Sequence, residues 1–250
     1  MNSISGKSII VTGASGGIGR ALALALAEEG AGLVLNGRRS ETLEKIGKEC
    51  ARAGARVELL AGSAAAAEVA EALVQKALGM GNFYGFIHAA GVLHPGPVVY
   101  ELAGEQFREI FEASVAASFE MVRAAFPPLI ESGGGVAVFL GSGAAERAIP
   151  GMGAYCAAKA AEEHLVRQLA AEVPQVVSMA FRPGVVDTEM VREIFRARGK
   201  AADRLRGEFS AFERNGEIHP PEVPARALVS ILKNDPCRFH GKVATWRDGV

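Results

Sequence analysis

Two residues that can move a proton lie four positions apart in the chain. They are Tyr155 and Lys159, in the segment Ala154-Tyr-Cys-Ala-Ala-Lys159. On a helix this spacing places both side chains on one face, about one turn apart. A phenol has an ordinary pKa of about 10, so it is a useful acid or base at neutral pH only where a nearby cation favours its phenolate. Because Lys159 can supply that charge, the pair is a candidate for proton transfer.

A serine that can hold an oxygen atom precedes this pair. Ser142 follows a predicted strand over residues 136–141 and lies 13 residues before Tyr155. Its hydroxyl can orient a carbonyl oxygen while the phenol gives or takes a proton and a nicotinamide gives or takes hydride. Alone, Tyr-x-x-x-Lys is usually a surface pair, and a serine at a strand end is usually a turn residue. The combination indicates a site that interconverts carbonyls and alcohols.

A glycine-rich segment follows the first predicted strand, residues 7–12. It reads Thr12-Gly-Ala-Ser-Gly-Gly-Ile-Gly19 and leads into an Ala/Leu-rich helix. Such a turn places backbone N–H groups and the positive end of a helix dipole beside a diphosphate, which a Cβ would obstruct. The Gly-Lys-Ser/Thr of a P-loop is missing. The turn predicts a dinucleotide site; its alternative is a tight β-to-α connection that binds nothing.

The end of the second predicted strand bears on the choice of dinucleotide. It reads Asn36-Gly-Arg-Arg39 and contains no carboxylate. An acidic residue here favours the ribose of NAD, whereas an arginine can bind the 2′-phosphate of NADP through two hydrogen bonds. We therefore expect Arg38 to favour NADP(H), with NAD(H) possible. The alternative is that both arginines are solvated residues at the start of a helix.

The rest of the chain predicts the scaffold that carries these segments. Short apolar runs alternate with helical patterns. The expected strands are residues 7–12, 33–36, 57–61, 83–89, 136–141, 176–180 and 241–246. The expected helices are residues 20–30, 40–53, 65–78, 105–130, 154–172 and 224–232. This alternation is typical of a doubly wound, Rossmann-type α/β fold, in which helices cover both faces of a parallel sheet. No composition break divides the chain, so a single domain over residues 1–250 is expected.

Composition excludes several other classes of function. The 250 residues are 49% hydrophobic and 22% charged, as in a packed globular protein. The formal net charge of −1 provides no field that would attract nucleic acid or anionic lipid. The cysteines, Cys50, Cys156 and Cys237, lack the spacing of a metal site or a disulfide framework. No segment is typical of a signal peptide or a membrane span, so we expect a cytoplasmic protein without metal, nucleic-acid or membrane partners.

Over essentially all of its length the chain resembles the single-domain branch of the short-chain dehydrogenase/reductase family. Four segments carry the resemblance: the turn at 12–19, His88-Ala-Ala-Gly91, Ser142 with Tyr155-x-x-x-Lys159, and Pro183-Gly-Val-Val-Asp-Thr188. It implies that Tyr155 is the general acid/base, that Lys159 lowers the pKa of Tyr155 and holds the nicotinamide ribose, and that Ser142 orients the carbonyl. The implied cofactor contacts are Gly13, Ser15, Gly17, Ile18, Gly19, Arg38, Ser63, Ala89, Gly91, Tyr155, Lys159, Pro183, Gly184, Val186 and Thr188.

Three positions depart from the family pattern. The family commonly has an Asn that completes a proton relay, and here the matching residue is Ser114, which we take as the fourth catalytic candidate. Ser63 stands where an Asp usually accepts from the adenine amino group, and His88 stands where an Asn usually braces a strand. We expect His88 to be a packed core residue. The alternative to an enzyme is a cofactor-binding regulator or pseudoenzyme with the same fold, which Ser114 favours.

The resemblance also bears on substrate and assembly. Within the family, the chain is most similar to carbonyl reductases of the benzil and sepiapterin type. This similarity implies that the substrate is a ketone or diketone with a bulky apolar group. A variable substrate lid is expected at about 188–215, where apolar residues alternate with arginines that either attract an anionic substrate or form a solvated face. The helix at 105–130 and the Tyr155 helix are implied to form the contact of a homodimer or homotetramer.

Overall fold

A computed structural model describes residues 3–249. Its main element is a sheet of seven parallel strands in the order β3-β2-β1-β4-β5-β6-β9, and a separate pair is formed by β7 and β8. The strands are β1 (Ser8–Thr12), β2 (Gly32–Gly37), β3 (Val57–Ala61), β4 (Phe83–His88), β5 (Gly135–Leu140), β6 (Val176–Arg182), β7 (Val185–Val186), β8 (Ile218–His219) and β9 (Val243–Thr245). The predicted doubly wound fold is therefore confirmed.

Nine α-helices connect the strands of the described chain. They are α1 (Gly17–Glu28), α2 (Ser40–Arg52), α3 (Ala67–Met80), α4 (Gly104–Phe111), α5 (Ala117–Glu131), α6 (Gly153–Glu172), α7 (Glu189–Phe195), α8 (Ala202–Arg214) and α9 (Glu222–Asn234). Residues of α1, α2 and α9 form a core on one face of the sheet, and residues of α3, α5 and α6 form a core on the other. Both faces are thus covered, as parallel crossovers require.

The alternation of side chains along β1 shows how one strand feeds both cores. All five of its residues are buried. Ile9 and Val11 belong to the core of α1 and α9, whereas Ile10 belongs to the core of α3 and α5. Successive side chains of a strand point to opposite faces, so a strand covered on both sides must be apolar throughout. Each fully buried Ile contributes about 1.5–3 kcal/mol.

The strand order reverses direction between β1 and β4, which is where ligands bind in open parallel sheets. Thr12 and His88, the last residues of these two strands, are in register with each other. The glycine turn leaves β1 at this edge, and the segment beginning at Ala89 leaves β4 beside it. The fold therefore brings the two predicted motifs to one crevice.

The predicted helix over 105–130 is interrupted. A π-helical segment, Glu112–Ala116, separates α4 from α5 and contains Ser114 at its centre. Such single-turn widenings insert a residue into the hydrogen-bond ladder and occur frequently at functional sites. Composition gives no sign of this insertion, since all five residues are ones an ordinary α-helix accepts.

Within residues 3–249 no helix combines the length and the apolar composition that a membrane crossing needs. The same part of the chain contains no cluster of three or more His, Cys, Asp or Glu side chains suited to a metal ion. The three cysteines are free thiols, with Cys50 buried and Cys237 exposed.

Candidate active site

The glycine turn is built from positions that accept no side chain. Gly13 has a φ of +64°, and a Cβ there would lie 2.5 Å from the backbone nitrogen of Ala90. A Cβ on Gly19 would lie 2.2 Å from the carbonyl oxygen of Gly13. The turn is therefore pressed against the segment after β4, and only glycine permits this approach. Ile18, between these glycines on α1, packs against the core.

The residues of this turn fit a dinucleotide diphosphate. The hydroxyl of Ser15 is buried and has no hydrogen-bond partner among residues 3–249. Buried polar atoms are nearly always paired, so an unpaired one in a turn indicates a ligand that completes it. The first turn of α1 carries no acidic residue, which leaves the positive end of the helix available to an anion. A Cβ on Gly17 would lie 2.8 Å from Cγ2 of Thr188, so the segment after β7 closes the same cradle.

Both arginines at the end of β2 lie beside this turn. Arg39 Nη2 donates a hydrogen bond to the carbonyl oxygen of Ser15 at 3.3 Å. Arg38 is exposed, and its Nη1 donates to Glu109 Oε1 at 3.2 Å. Glu109 Oε2 lies 2.8 Å from His94 Nε2. Hydrogen bonding to His94, followed by that to Arg38, holds the pKa of Glu109 below its ordinary value. Glu109 was not predicted as a neighbour of Arg38, because 71 residues separate them along the chain.

Three further predicted cofactor contacts follow the carboxyl ends of β3 and β4: Ser63 after β3, and Ala89 and Gly91 after β4. The hydroxyl of Ser63 accepts from the backbone N–H of Ala65 at 3.3 Å, so it serves the turn before α3. Ala89 and Gly91 are half-buried in the segment after β4. A Cβ on Gly91 would lie 3.9 Å from Lys159 Nζ and 4.0 Å from Cε of Met190. Gly91 therefore lies between α6 and the predicted lid.

The proton-transfer candidates come together at the start of α6. Tyr155 is 8% exposed and Lys159 is 3% exposed, and Lys159 Nζ lies 5.7 Å from the centre of the Tyr155 ring. Ser142 follows β5, and its hydroxyl accepts from the backbone N–H of Ala144 at 3.2 Å. Burial raises the pKa of Tyr155, while the charge of Lys159 and the nearby Ser142 hydroxyl act to lower it. The geometry thus brings an acid, a cation and an oxygen-orienting hydroxyl to one place.

The ammonium group of Lys159 has two partners inside the protein. Its Nζ donates to the carbonyl oxygen of Leu140 at 2.9 Å and to Glu162 Oε2 at 2.6 Å. Burial lowers the pKa of Lys159, but the charge and hydrogen bond of Glu162, together with smaller effects of Tyr155 and Glu163, outweigh this, so the pKa is raised. Glu162 was not among the predicted site residues. The signal was available, since Glu162 and Glu163 are adjacent acids on an otherwise Ala/Leu-rich helix.

Ser114 and His88 lie beneath this cluster. Ser114 is buried in the π-helical segment, and its hydroxyl has no hydrogen-bond partner in the described chain. Ser114 and Lys159 are therefore not hydrogen-bonded to each other in the structure. His88 is fully buried, with Nδ1 2.8 Å from Thr12 Oγ1 and Nε2 3.2 Å from the carbonyl oxygen of Ala113. Burial lowers the pKa of His88 to about 4, so it is a neutral core residue, as expected.

The segment from Pro183 to Thr188 returns the chain from β6 to the crevice. Gly184 has a φ of +81° and lies against the indole of Trp246, which a Cβ would approach to 2.8 Å at Nε1. Val186 is buried in β7, and Thr188 is the residue before α7. All four predicted cofactor contacts of this segment therefore follow the carboxyl end of β6: Pro183, Gly184, Val186 and Thr188.

The predicted lid at 188–215 folds as α7 and α8 over the Tyr155 end of α6. Met190, Val191 and Phe195 pack against a core that includes Tyr155 and Leu93. Several lid arginines are paired with acidic residues: Arg192 with Asp187, Arg196 with Glu189, and Arg206 with Asp203. These pairs favour the solvated-face interpretation of the arginines over attraction of an anionic substrate.

Comparisons with known proteins agree with this geometry. The family model described as short chain dehydrogenase matches residues 7–199. A benzil reductase ((S)-benzoin forming) of Saccharomyces cerevisiae is 29% identical, over 97% of both chains. An NADPH-dependent pterin aldehyde reductase of Arabidopsis thaliana is 28% identical, over 77% of this chain and 80% of the relative.

A solved structure extends the likeness to the fold. The crystal structure of a short-chain dehydrogenase/reductase of Saccharomyces cerevisiae superimposes with a TM-score of 0.85 at 26% identity, covering 97% of this chain and 96% of the other. The matched family segment contains the glycine turn, Ser142, Tyr155, Lys159 and Thr188. The chain belongs to the short-chain dehydrogenase family of oxidoreductases.

Proposed function

We propose that the protein is an NADP(H)-dependent oxidoreductase that transfers hydride between the nicotinamide and a carbonyl or alcohol substrate. The observation that carries the proposal is the burial of the Tyr155 phenol beside the Lys159 ammonium, with the Gly13, Ser15 and Gly17 cradle at the same edge of the sheet. An acid, a cation to tune it and an anion-binding turn are the parts that this reaction requires.

Each member of the trio has one role in the proposed reaction. The phenol of Tyr155 donates its proton to the carbonyl oxygen during reduction and takes it back during oxidation. The Ser142 hydroxyl donates a hydrogen bond to that oxygen and fixes its position. The Lys159 ammonium stabilises the phenolate that remains after proton transfer. Such general acid catalysis contributes about 10²–10⁴-fold to the rate.

NADP(H) is the proposed cofactor, and NAD(H) remains a usable substitute. When bound, it supplies or accepts the hydride. Ser15 and the backbone of the glycine turn would hold the diphosphate with Thr188, and Arg38 would pair with the 2′-phosphate in place of Glu109. Lys159 and the segment from Pro183 to Val186 would hold the nicotinamide end. The relative named as an NADPH-dependent reductase supports this choice.

The proposed substrate is a ketone or diketone with a bulky apolar group. The lid, residues 188–215, supports this because its Met190, Val191 and Phe195 lie in the same apolar cluster as Tyr155. The relative named as a benzil reductase acts on a diketone flanked by two rings. We propose that the lid belongs to a single domain over residues 1–250 and covers the apolar part of the substrate.

A second copy of the chain is the proposed partner. An apolar groove runs between α4, α5 and α6, lined by Phe107, Phe111, Val115, Phe119 and Leu165. Phe119 is 52% exposed and Phe107 is 41% exposed, and exposed apolar side chains that share one groove mark a candidate interaction surface. A homodimer formed across this groove, or a tetramer built from it, would bury them. Phe119→Glu is expected to yield monomers, as measured by light scattering.

We also propose a cytoplasmic location, with reduced cysteines.

The experiment that tests the function uses purified protein with NADPH and NADH in parallel. Turnover is measured on benzil, other diketones, quinones and aldehydes by loss of absorbance of the reduced cofactor. The proposal predicts reduction of at least one bulky ketone or diketone, with higher kcat/KM for NADPH than for NADH. If the protein binds NADPH but reduces none of these substrates, the alternative of a cofactor-binding regulator or pseudoenzyme is supported instead.

A further inference from the structure

A buried carboxylate that takes no part in the proposed reaction contacts the Lys159 ammonium. Glu162 lies three residues further along α6 and is fully buried, at 0% exposure. Its Oε2 is 2.6 Å from Lys159 Nζ, which also donates to the carbonyl oxygen of Leu140. An ammonium has three N–H donors, so these two bonds leave one directed elsewhere. Gly91, at the crevice, is close to Nζ, because a Cβ on Gly91 would lie 3.9 Å from it.

Other elements hold the carboxylate itself in place. Ser118 of α5 donates to Glu162 Oε1 at 3.1 Å. His88 of β4 places Nε2 3.8 Å from the same oxygen. His88 is fixed in turn by its contacts with Thr12 and the carbonyl oxygen of Ala113. Residues of α5 and β4 therefore determine where the Glu162 carboxylate lies, and through it where the ammonium lies.

The burial of this pair carries a physical implication. Removing a carboxylate and an ammonium from water is costly, and a packed apolar residue in place of such a pair is often no less stable. A fully buried lysine without a counterion loses its proton readily, because burial disfavours the charged form. A neutral amine at this position would not stabilise the phenolate of Tyr155. The carboxylate therefore has a role that an apolar residue at position 162 would not fill.

We propose that Glu162 is a positioning residue: it fixes the Lys159 ammonium toward the crevice and keeps it charged while Tyr155 transfers its proton. The proposal rests on the proposed function for its kinetic consequence only. Its structural consequence, a lysine that stays protonated because of Glu162, holds whether or not a substrate is turned over.

The charges around Glu162 define the pH range for a test. Lys159 and Tyr155 face it from α6, and His88 faces it from β4. His88 is neutral above about pH 6 because burial lowers its pKa to about 4. Glu163, the next residue, is directed to Arg182, whose Nε and Nη2 donate to it at 2.8 Å and 2.6 Å. Between pH 6 and pH 9.5, the property that Glu162 is proposed to control is therefore the protonation state of the Lys159 amine.

Thermal unfolding of Glu162→Gln provides the first readout. In the wild type the pKa of Lys159 is raised, so its stabilising charge is fully present below the unfolded pKa of about 10.4. In the variant the buried ammonium has lost its carboxylate, and its folded pKa falls below the unfolded value. The unfolded chain then binds more protons, so stability rises with pH. The deficit in Tm relative to wild type is expected to be largest at pH 6 and to narrow toward pH 9.5.

Glu163→Gln is the matched control. It also removes a buried carboxylate from α6, but the cation it leaves is Arg182, which keeps its proton throughout this range. Glu163 also raises the pKa of Lys159, but less than Glu162 does, so the Tm deficit of Glu163→Gln is expected to be nearly constant from pH 6 to pH 9.5. A deficit of Glu162→Gln that is equally constant would overturn the proposal, because it would show that Lys159 does not depend on Glu162 for its charge.

The second readout is the pH profile of carbonyl reduction. Tyr155 and Lys159 titrate as a pair, and removing a negative charge beside them lowers the pH at which the pair gives up its first proton. The alkaline limb of kcat is expected to move down by about one pH unit or more in Glu162→Gln. Glu162→Asp retains the charge but is one methylene shorter, so the limb stays in place while kcat falls about tenfold.

The two readouts, Tm and the pH profile of kcat, distinguish failure of the proposed function from failure of the proposed role of Glu162. A wild type that binds NADPH and reduces nothing would contradict the proposed function, and the Tm comparison would still decide the role of Glu162. If Glu162→Gln does not fold, Glu162→Asp decides the matter, since a wild-type kcat in that variant would contradict the positioning role. An unmoved alkaline limb in a folded, active Glu162→Gln would overturn it as well.

Discussion

Gly17, the first residue of α1, lies directly against Thr188, the residue before α7. A Cβ on Gly17 would lie 2.8 Å from Cγ2 of Thr188, closer than real Cβ contacts come. The glycine turn and the start of the proposed lid are therefore in direct contact, although they are 171 positions apart in the chain. Under the proposed function, binding of the diphosphate and positioning of the lid would depend on the same contact.

Gly17→Ala is expected to weaken NADPH binding by about tenfold or more, because Thr188 must move away from the cradle and would lose the hydrogen bond proposed for it with the cofactor. Fluorescence titration with NADPH measures this. Gly207→Ala is the control, since Gly207 lies on an exposed face of α8 with nothing within 4 Å of the position of its Cβ. Equal affinity in the two variants would separate the turn from the cofactor site.

Arg38→Asp is expected to discriminate between the two cofactors. The change replaces hydrogen bonds to a charged phosphate with repulsion, which corresponds to a loss of about tenfold to a hundredfold in NADPH affinity. NADH has no 2′-phosphate and should change little. Arg52→Asp, on an exposed arginine at the end of α2, provides the control. Equal losses for both cofactors in direct titrations would contradict the assignment of Arg38.

Ser114→Ala removes a buried hydroxyl that has no hydrogen-bond partner in the described chain. Stability is expected to be unchanged or slightly higher, because an unpaired buried polar group is lost. If the hydroxyl completes a relay to Lys159 through water, turnover falls modestly in this variant and is retained or improved in Ser114→Asn. Unchanged turnover in Ser114→Ala, measured at saturating NADPH, would remove Ser114 from the catalytic set.

The burial of His88 predicts acid sensitivity. Its folded pKa of about 4 lies below the ordinary value of 6.5, so the unfolded chain binds the extra proton between these values. Stability therefore falls as pH decreases through this range, with a slope of up to about 1.4 kcal/mol per pH unit. His88→Asn should reduce the slope of Tm against pH between pH 6.5 and pH 4. Parallel curves for the two proteins would contradict the buried neutral histidine.

Local patterns predicted the fold because each element carries its own signal. A few residues are enough to predict β1, because its apolar run is followed by glycines. The same holds for the helix that carries Tyr155 and Lys159, because their spacing places them on one face. Burial of Lys159 against Glu162 was not predicted: the adjacent acids Glu162 and Glu163 are visible in the sequence, but the helical pattern does not reveal which of them faces Lys159. The pairing of Arg38 with Glu109 depends on the contact of elements that are distant in the chain, and the π-helical segment around Ser114 consists of residue types that an ordinary α-helix also contains.

The proposed reduction depends on Tyr155 as its acid, and one comparison tests this most directly. The turnover of wild type and Tyr155→Phe is measured on an accepted diketone with saturating NADPH, and the NADPH affinity of each is determined by titration. We expect Tyr155→Phe to bind NADPH within about twofold of wild type and to turn over at least about a hundredfold more slowly, which is the size of a lost general acid. Reduction by Tyr155→Phe at the wild-type rate, with the same affinity, would contradict the account.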